Sequence, residues 1–169
     1  MIIGIDPGLK GGIAFIGDLG ELVSAIKMPD TTAKIHDEIT RALREYNDTY
    51  TSMWIEKSQP HRTTKNHKEG IMQIFSNGFN YGKVYGCLEI INSGGRSEIN
   101  EVYPISWKSA FKLSKDKQKS IDLCIDLFPK SKDIIHGVRG GKYDGIAEAI
   151  LIAYYGYLQY RRRIIRRKL

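Results

Sequence analysis

Residues 1–17 read "MIIGIDPGLKGGIAFIG", and their reading decides the fold. An apolar run, Ile2 to Ile5, delivers a single carboxylate, Asp6. Pro7, Gly8, Gly11 and Gly12 follow at once. A short apolar run bounded by turn residues is the pattern of a buried strand. Gly12 to Ile16 is a second such run, "GDLGE" is a turn with glycine near both ends, and Leu22 to Met28 is a third strand. The chain therefore opens as a three-strand meander with one acid at the end of its first strand.

Working outward, Ile35, Ile39, Ala42, Leu43 and Tyr46 recur at helical spacing between Thr31 and Tyr46. "YTSMWIEKS" is a fourth strand ending in Glu56, and residues 57–66 are polar, basic and aperiodic, the pattern of a loop. A long helix is predicted from about His67 to Ile91. It carries Gly78, Gly82 and Gly86 on one stripe. Glycine weakens a helix, so the stripe predicts close backbone approach, either to the sheet or to a partner chain. "INEVYPI" reads as a fifth strand, "SWKSAFKL" and "KDKQKSIDLCIDLF" as helices, "KSKDIIHGVRGGK" as a loop, and a last helix starts near Tyr143. This order predicts an α/β fold, a mixed five-stranded sheet flanked by helices. The 169 residues are expected to form one domain, 1–169.

Net charge is +7, from 26 basic and 19 acidic residues. The basic residues cluster at "EKSQPHRTTKNHKEG", at Lys112 to Lys119, and in the tail "YRRRIIRRKL". Three clusters on a small domain favour a polyanionic partner over an ordinary solvated surface. Cys87 and Cys124 lack a CxxC neighbour or a nearby histidine, which argues for buried thiols and against a zinc site. No apolar run approaches the roughly 20 residues of a membrane helix, and the first residues lack the basic region of a secretion signal. A cytoplasmic location with no membrane partner is the expectation.

The acids carry the chemistry. Asp6 and Glu56 both end apolar strands. Ligands of open α/β sheets gather beyond the carboxyl ends of strands, so parallel neighbours would bring the two together. Asp144 and Glu148 are four apart at the start of the last helix and share a face. Taken singly, each has a plain explanation: a turn aspartate, a paired strand end, a helix cap, a surface glutamate. Together they form a cluster whose mutual repulsion calls for hard divalent cations, Mg²⁺ or Mn²⁺. Two such ions activate water and stabilise the leaving oxygen in phosphodiester cleavage. Carboxylates for chemistry and cations for substrate are the requirements of a metal-dependent nuclease.

On these residues the sequence resembles the RuvC family of Holliday-junction resolvases, within the RNase H-like superfamily. "GIDPG" resembles the family's first-strand motif, "WIEKSQP" its second acidic motif and "KYDGIAEAILIA" its terminal-helix motif. "IMQIFSNGFNYGKVYGCLEI" is similar to the long central helix, and "VYPISWKSAFKL" to the strand and basic helix after it. The likeness spans nearly the whole chain. The four-residue spacing of the last two acids is like that of phage-encoded and mitochondrial members.

The resemblance implies an endonuclease that binds four-way DNA junctions as a homodimer. It implies resolution by paired symmetric nicks, leaving 5′-phosphate and 3′-hydroxyl ends. It further implies two Mg²⁺ or Mn²⁺ ions, with Asp6 bridging, Glu56 and Asp144 each completing one shell, and Glu148 assisting. Asp144 is favoured over Glu148 as the principal last ligand, and no small-molecule cofactor is expected. Candidate DNA-binding residues are Lys57, Arg62, Lys65, Lys68, Lys108, Lys112, Lys115, Lys119 and Lys142. Gly8, Gly11 and Gly12 are expected to clear space beside the metals for a DNA backbone. Competing readings are a broader fork- and flap-cutting nuclease, a non-catalytic nucleic-acid-binding relative, and an actin-like phosphotransferase. The last usually needs two such domains, and this chain has room for one.

Overall fold

A computed structural model of the chain describes residues 1–46, 51–57, 70–95, 97–114, 116–137 and 141–168. Five strands form one sheet: β1 Ile2–Asp6, β2 Gly12–Ile16, β3 Leu22–Lys27, β4 Thr51–Glu56 and β5 Ser97–Val102. Their order is β3-β2-β1-β4-β5. β1, β2 and β3 pair antiparallel, as the meander predicts, while β4 lies parallel to β1 and β5 parallel to β4. The helices are α1 Thr32–Glu45, α2 Ile71–Ile91, α3 Pro104–Ala110, α4 Lys117–Leu127, α5 Lys132–Ile135 and α6 Asp144–Lys168.

The period-2 alternation of strands sorts the sheet into two faces. Ile3 and Ile5 of β1, with Met53 and Ile55 of β4, join the core built with α1 and α2. Ile2 of β1 and Trp54 of β4 join the opposite core, built around α6. Asp6 and Glu56 continue the second set, so both carboxylates end on the α6 side.

Helix α6 lies unusually close to that face. A Cβ built on Gly4 would stand 2.2 Å from the Ala153 nitrogen and 2.4 Å from the Ala149 oxygen. Gly12 meets the first turn of α6 at Ile146, and Gly156 meets the Trp54 ring. The helix thus runs antiparallel to β1 and starts where β1 ends. Gly4→Ala forces α6 away from the sheet, because backbone rather than a flexible side chain blocks the new methyl. We predict a loss of about 3 kcal/mol or more, read as a lowered urea midpoint.

Two sequence expectations need correction. The fifth strand was expected to run through Pro104 and Ile105, but both belong to α3, where Pro104 occupies the opening turn. Proline is favoured there because its missing N–H has no helical partner. The segment expected as a loop before α6 holds a 3-10 turn, Pro129–Ser131, and α5, anchored by the fully buried Ile135. The central helix is described from Ile71; its predicted start at His67 lies outside the described residues. Of the two approaches open to the glycine stripe, the one to the sheet is not made: among the described residues a Cβ on Gly78, Gly82 or Gly86 meets nothing within 4 Å. Both cysteines are buried free thiols. Among the described residues, no helix is long and apolar enough to cross a membrane.

Candidate active site

Parallel pairing of Ile5 with Ile55 sets Asp6 and Glu56 side by side at the carboxyl ends of β1 and β4. The first two turns of α6 add Asp144 and Glu148. Asp6 is held by the turn that follows it: the Gly8 N–H donates to Asp6 Oδ1 at 3.0 Å. Glu56 accepts a 2.6 Å hydrogen bond at Oε2 from the Trp107 indole Nε1. Glu148 is nearly buried, 8% exposed, and accepts at Oε1 from Lys108 Nζ at 2.7 Å. Asp144 pairs with Lys117.

The electrostatics are those of a crowded acid cluster. Burial pushes the Asp6 carboxyl up to about 6; the Gly8 N–H opposes this, and Glu148 and Asp144 add to it. Burial likewise pushes Glu56 up to about 7, with Asp6 and Glu148 adding repulsion and Trp107 and Lys108 opposing it. Glu148 therefore acts on both strand acids. The Lys117 ammonium is held above its usual range by its bond to Asp144.

A pH dependence follows from these directions. Unfolded, the two strand acids release protons near 3.8 and 4.5; folded, they hold them to about 6 and about 7. The folded state keeps protons that the unfolded state has lost, so the stability contributed by these two groups falls as pH rises through that window. Each ionised carboxyl then costs on the order of 2–3 kcal/mol. In chelator, the melting midpoint is expected to be lower at pH 8 than at pH 5, and Mg²⁺ to narrow the gap. A midpoint rising steadily over this range would contradict the assignment.

Among the described residues, no three His, Cys, Asp or Glu side chains are placed to hold one ion as they stand. Lysines occupy two of the four acids instead. The donor set still fits a hard divalent cation: it is all carboxylate, and two of its members are strained by burial and mutual repulsion.

The predicted cationic residues divide. Lys108 lies inside the acid cluster, not along a peripheral track. Lys57 is paired with Glu101 at 2.5 Å. Lys112 and Lys119 are exposed, and exposed Lys142 reaches Gln118. Arg62, Lys65, Lys68 and Lys115 lie outside the described residues. Two residues at the acids were not among the site residues the sequence reading named, Trp107 on Glu56 and Lys117 on Asp144. The first follows from sheet order: Val102 pairs with Glu56, so the helix that begins two residues later lands beside that acid. The second follows from Asp116 capping α4 through the Gln118 N–H, which fixes Lys117 in its opening turn.

Two of the glycines after Asp6 serve a different purpose from the one expected. A Cβ on Gly11 would stand 2.0 Å from the Asp6 carbonyl oxygen, and one on Gly145 2.0 Å from the Lys10 oxygen. Gly11 and Gly12 make room for the chain's own turn and for α6, not for a ligand.

No protein-family model and no curated protein sequence matches the chain. Solved structures do. Thermus thermophilus RuvC in complex with a Holliday junction matches at TM-score 0.58 and 12% identity, over 95% of both chains. A second structure of Thermus thermophilus RuvC matches at TM-score 0.58 and 14% identity, again over 95% of both. The yeast mitochondrial Holliday junction resolvase Ydc2 aligns at TM-score 0.49 and 17% identity, over 99% of this chain and 84% of that one. In fold, the chain is RuvC-like: an RNase H-like mixed five-stranded sheet flanked by helices, with its acids gathered where the first and fourth strands end.

Proposed function

We propose that the chain is a single-domain, divalent-metal-dependent endonuclease that binds four-way DNA junctions as a homodimer and resolves them by paired symmetric nicks. The observation that carries this reading is the convergence of Asp6, Glu56, Asp144 and Glu148 at one end of a RuvC-like sheet in a chain of net charge +7.

In this reading the four acids hold Mg²⁺ or Mn²⁺, two ions per site. When bound, these ions supply activation of water and neutralisation of charge on the leaving oxygen. The protein's own part is positional. The Gly8 N–H fixes one oxygen of Asp6, and α6 sets Asp144 and Glu148 against the strand acids. Glu148 is a ligand on a par with Asp144, since it is the more buried and acts on both Asp6 and Glu56. Lys108 and Lys117 balance the acids at rest and contact the scissile phosphate on binding. The products are 5′-phosphate and 3′-hydroxyl ends. Lys112, Lys119 and Lys142, with Arg62, Lys65, Lys68 and Lys115, neutralise backbone phosphates along the arms.

Dimerisation rests on the outer face of α2. Ile71, Phe75, Phe79 and Ile90 are 84%, 67%, 62% and 65% exposed. They share a helix face with Gly78, Gly82 and Gly86, and the rings of Phe75 and Phe79 stack at 6.3 Å. A two-fold axis through α2 between residues 80 and 81 sets Phe79 opposite Gly82, Phe75 opposite Gly86 and Ile71 opposite Ile90 of the second copy. Two bulky rings then face two hollows, a self-complementary arrangement of the kind an isologous interface needs.

The test uses a synthetic four-way junction, a fork and a linear duplex, each with and without Mg²⁺. Metal-dependent paired nicking of the junction is expected, with little cutting of linear duplex. Cutting of forks as readily as junctions would make the enzyme a broader branched-DNA nuclease. No metal-dependent cutting of any branched DNA would overturn the enzymatic reading.

A further inference from the structure

We propose that Trp107 is a positioning residue for Glu56: its indole N–H grips one carboxylate oxygen and so fixes how the other is presented to a divalent cation. The inference rests on the metal-nuclease reading above and adds to it a residue that is neither acid nor base.

The contact is built by the fold. α3 starts directly after β5, and β5 is locked to β4 up to the pair Glu56–Val102, where the Lys57 N–H also donates to the Val102 carbonyl at 2.8 Å. Trp107 is fully buried. A buried indole N–H needs a partner, and here it is Glu56 Oε2 at 2.6 Å. The next residue, Lys108, goes to Glu148, so two successive residues of one short helix serve two different acids.

The bland alternative is a core tryptophan that found the nearest acceptor. Trp54 shows how the same core satisfies an indole without using an acid, since its Nε1 donates to Ser52 Oγ at 2.9 Å. Trp107 is aimed at the acid cluster instead. It also differs in kind from the lysines there. An ammonium on a carboxylate competes with a cation and must leave. A neutral indole N–H carries no net charge, takes only one oxygen, and can remain in place when an ion arrives. Such partners orient metal-binding groups in other sites.

The decisive variant replaces Trp107 with β-(3-benzothienyl)alanine, which keeps the ring's size and shape and removes the N–H. Trp107→Phe serves as the ordinary companion and Glu56→Gln as the reference for a lost ligand. Mn²⁺ binding to each full-length protein is measured by electron paramagnetic resonance, alongside junction binding and melting midpoint. The benzothienyl protein is expected to melt near the wild type, bind junction equally in chelator, and bind Mn²⁺ about 10–100-fold more weakly. Its cleavage should recover at high Mn²⁺, which a damaged core would not allow. Unchanged Mn²⁺ affinity in that protein, with the wild type binding and Glu56→Gln impaired, would overturn the role of Trp107 and leave the nuclease reading standing. A wild type that binds no Mn²⁺, with or without junction, would overturn both.

Discussion

Asp6→Asn is expected to lower junction cleavage by about a thousandfold or more, some 4 kcal/mol of barrier, while junction affinity measured in chelator stays within about threefold. The separation follows from where the charges sit. Asp6 is enclosed by β1, its own turn and the start of α6, and it interacts with Asp144, Glu148 and Glu56. The exposed lysines lie outside that enclosure. Asparagine keeps an oxygen for the Gly8 N–H, so the turn survives and only the charge is lost. The same change removes an ionised carboxylate from a buried acid cluster. The metal-free variant should therefore melt higher than wild type at pH 8, by roughly 4–8 °C for a gain of about 2 kcal/mol. Residual cleavage above a tenth of wild type would show that Asp6 is dispensable. Loss of binding together with cleavage would show that chemistry and grip are not divided in this way.

The double variant Phe75→Glu with Phe79→Glu is expected to sediment as a monomer where the wild type sediments as a dimer. Dimer dissociation should rise by at least about a hundredfold, since two central aromatic anchors per subunit are lost and like charges meet across the axis. Within one subunit these rings are mostly exposed, so the melting midpoint of the isolated fold should hardly move. Gly82→Leu provides the complementary test, because in the proposed interface it fills the hollow opposite Phe79 without adding charge, and a Cβ there meets nothing within 4 Å among the described residues. Both variants should still nick a junction singly at high protein concentration but lose the coupling of the two nicks. A stable dimer in both would place the interface elsewhere.

The strand acids were legible in sequence because they depend on local pattern. An apolar run ending in an acid, twice, fixes Asp6 and Glu56 to one sheet face by alternation alone, once the strands are parallel neighbours. Asp144 and Glu148 were legible by helical spacing. The lysine and tryptophan contacts were not, since they depend on which strand lies beside which. Trp107 reaches Glu56 across 51 residues of chain and Lys117 reaches Asp144 across 27. Gly11 and Gly12 were misread for a related reason. A glycine marks close approach or an unusual turn, but the sequence does not name what approaches. At Gly11 it is the chain's own backbone, while a Cβ at Gly78, Gly82 or Gly86 meets nothing within 4 Å among the described residues. The four-residue helix α5 is too short to announce itself by periodicity.

The two lysines on the acids have a consequence for the order of events. Lys117 on Asp144 and Lys108 on Glu148 make each acid's freedom conditional on its lysine finding another anion. A DNA phosphate is such an anion. In the proposed nuclease, a phosphate that drew the ammoniums away would release the carboxylates toward cations, and cations that took the carboxylates would release the ammoniums toward phosphate. Substrate and metal would then strengthen each other's binding by one and the same factor, as thermodynamic reciprocity demands. On that reading the chemistry of the resting protein would be held back by internal charge balance, and the DNA itself would supply what undoes it.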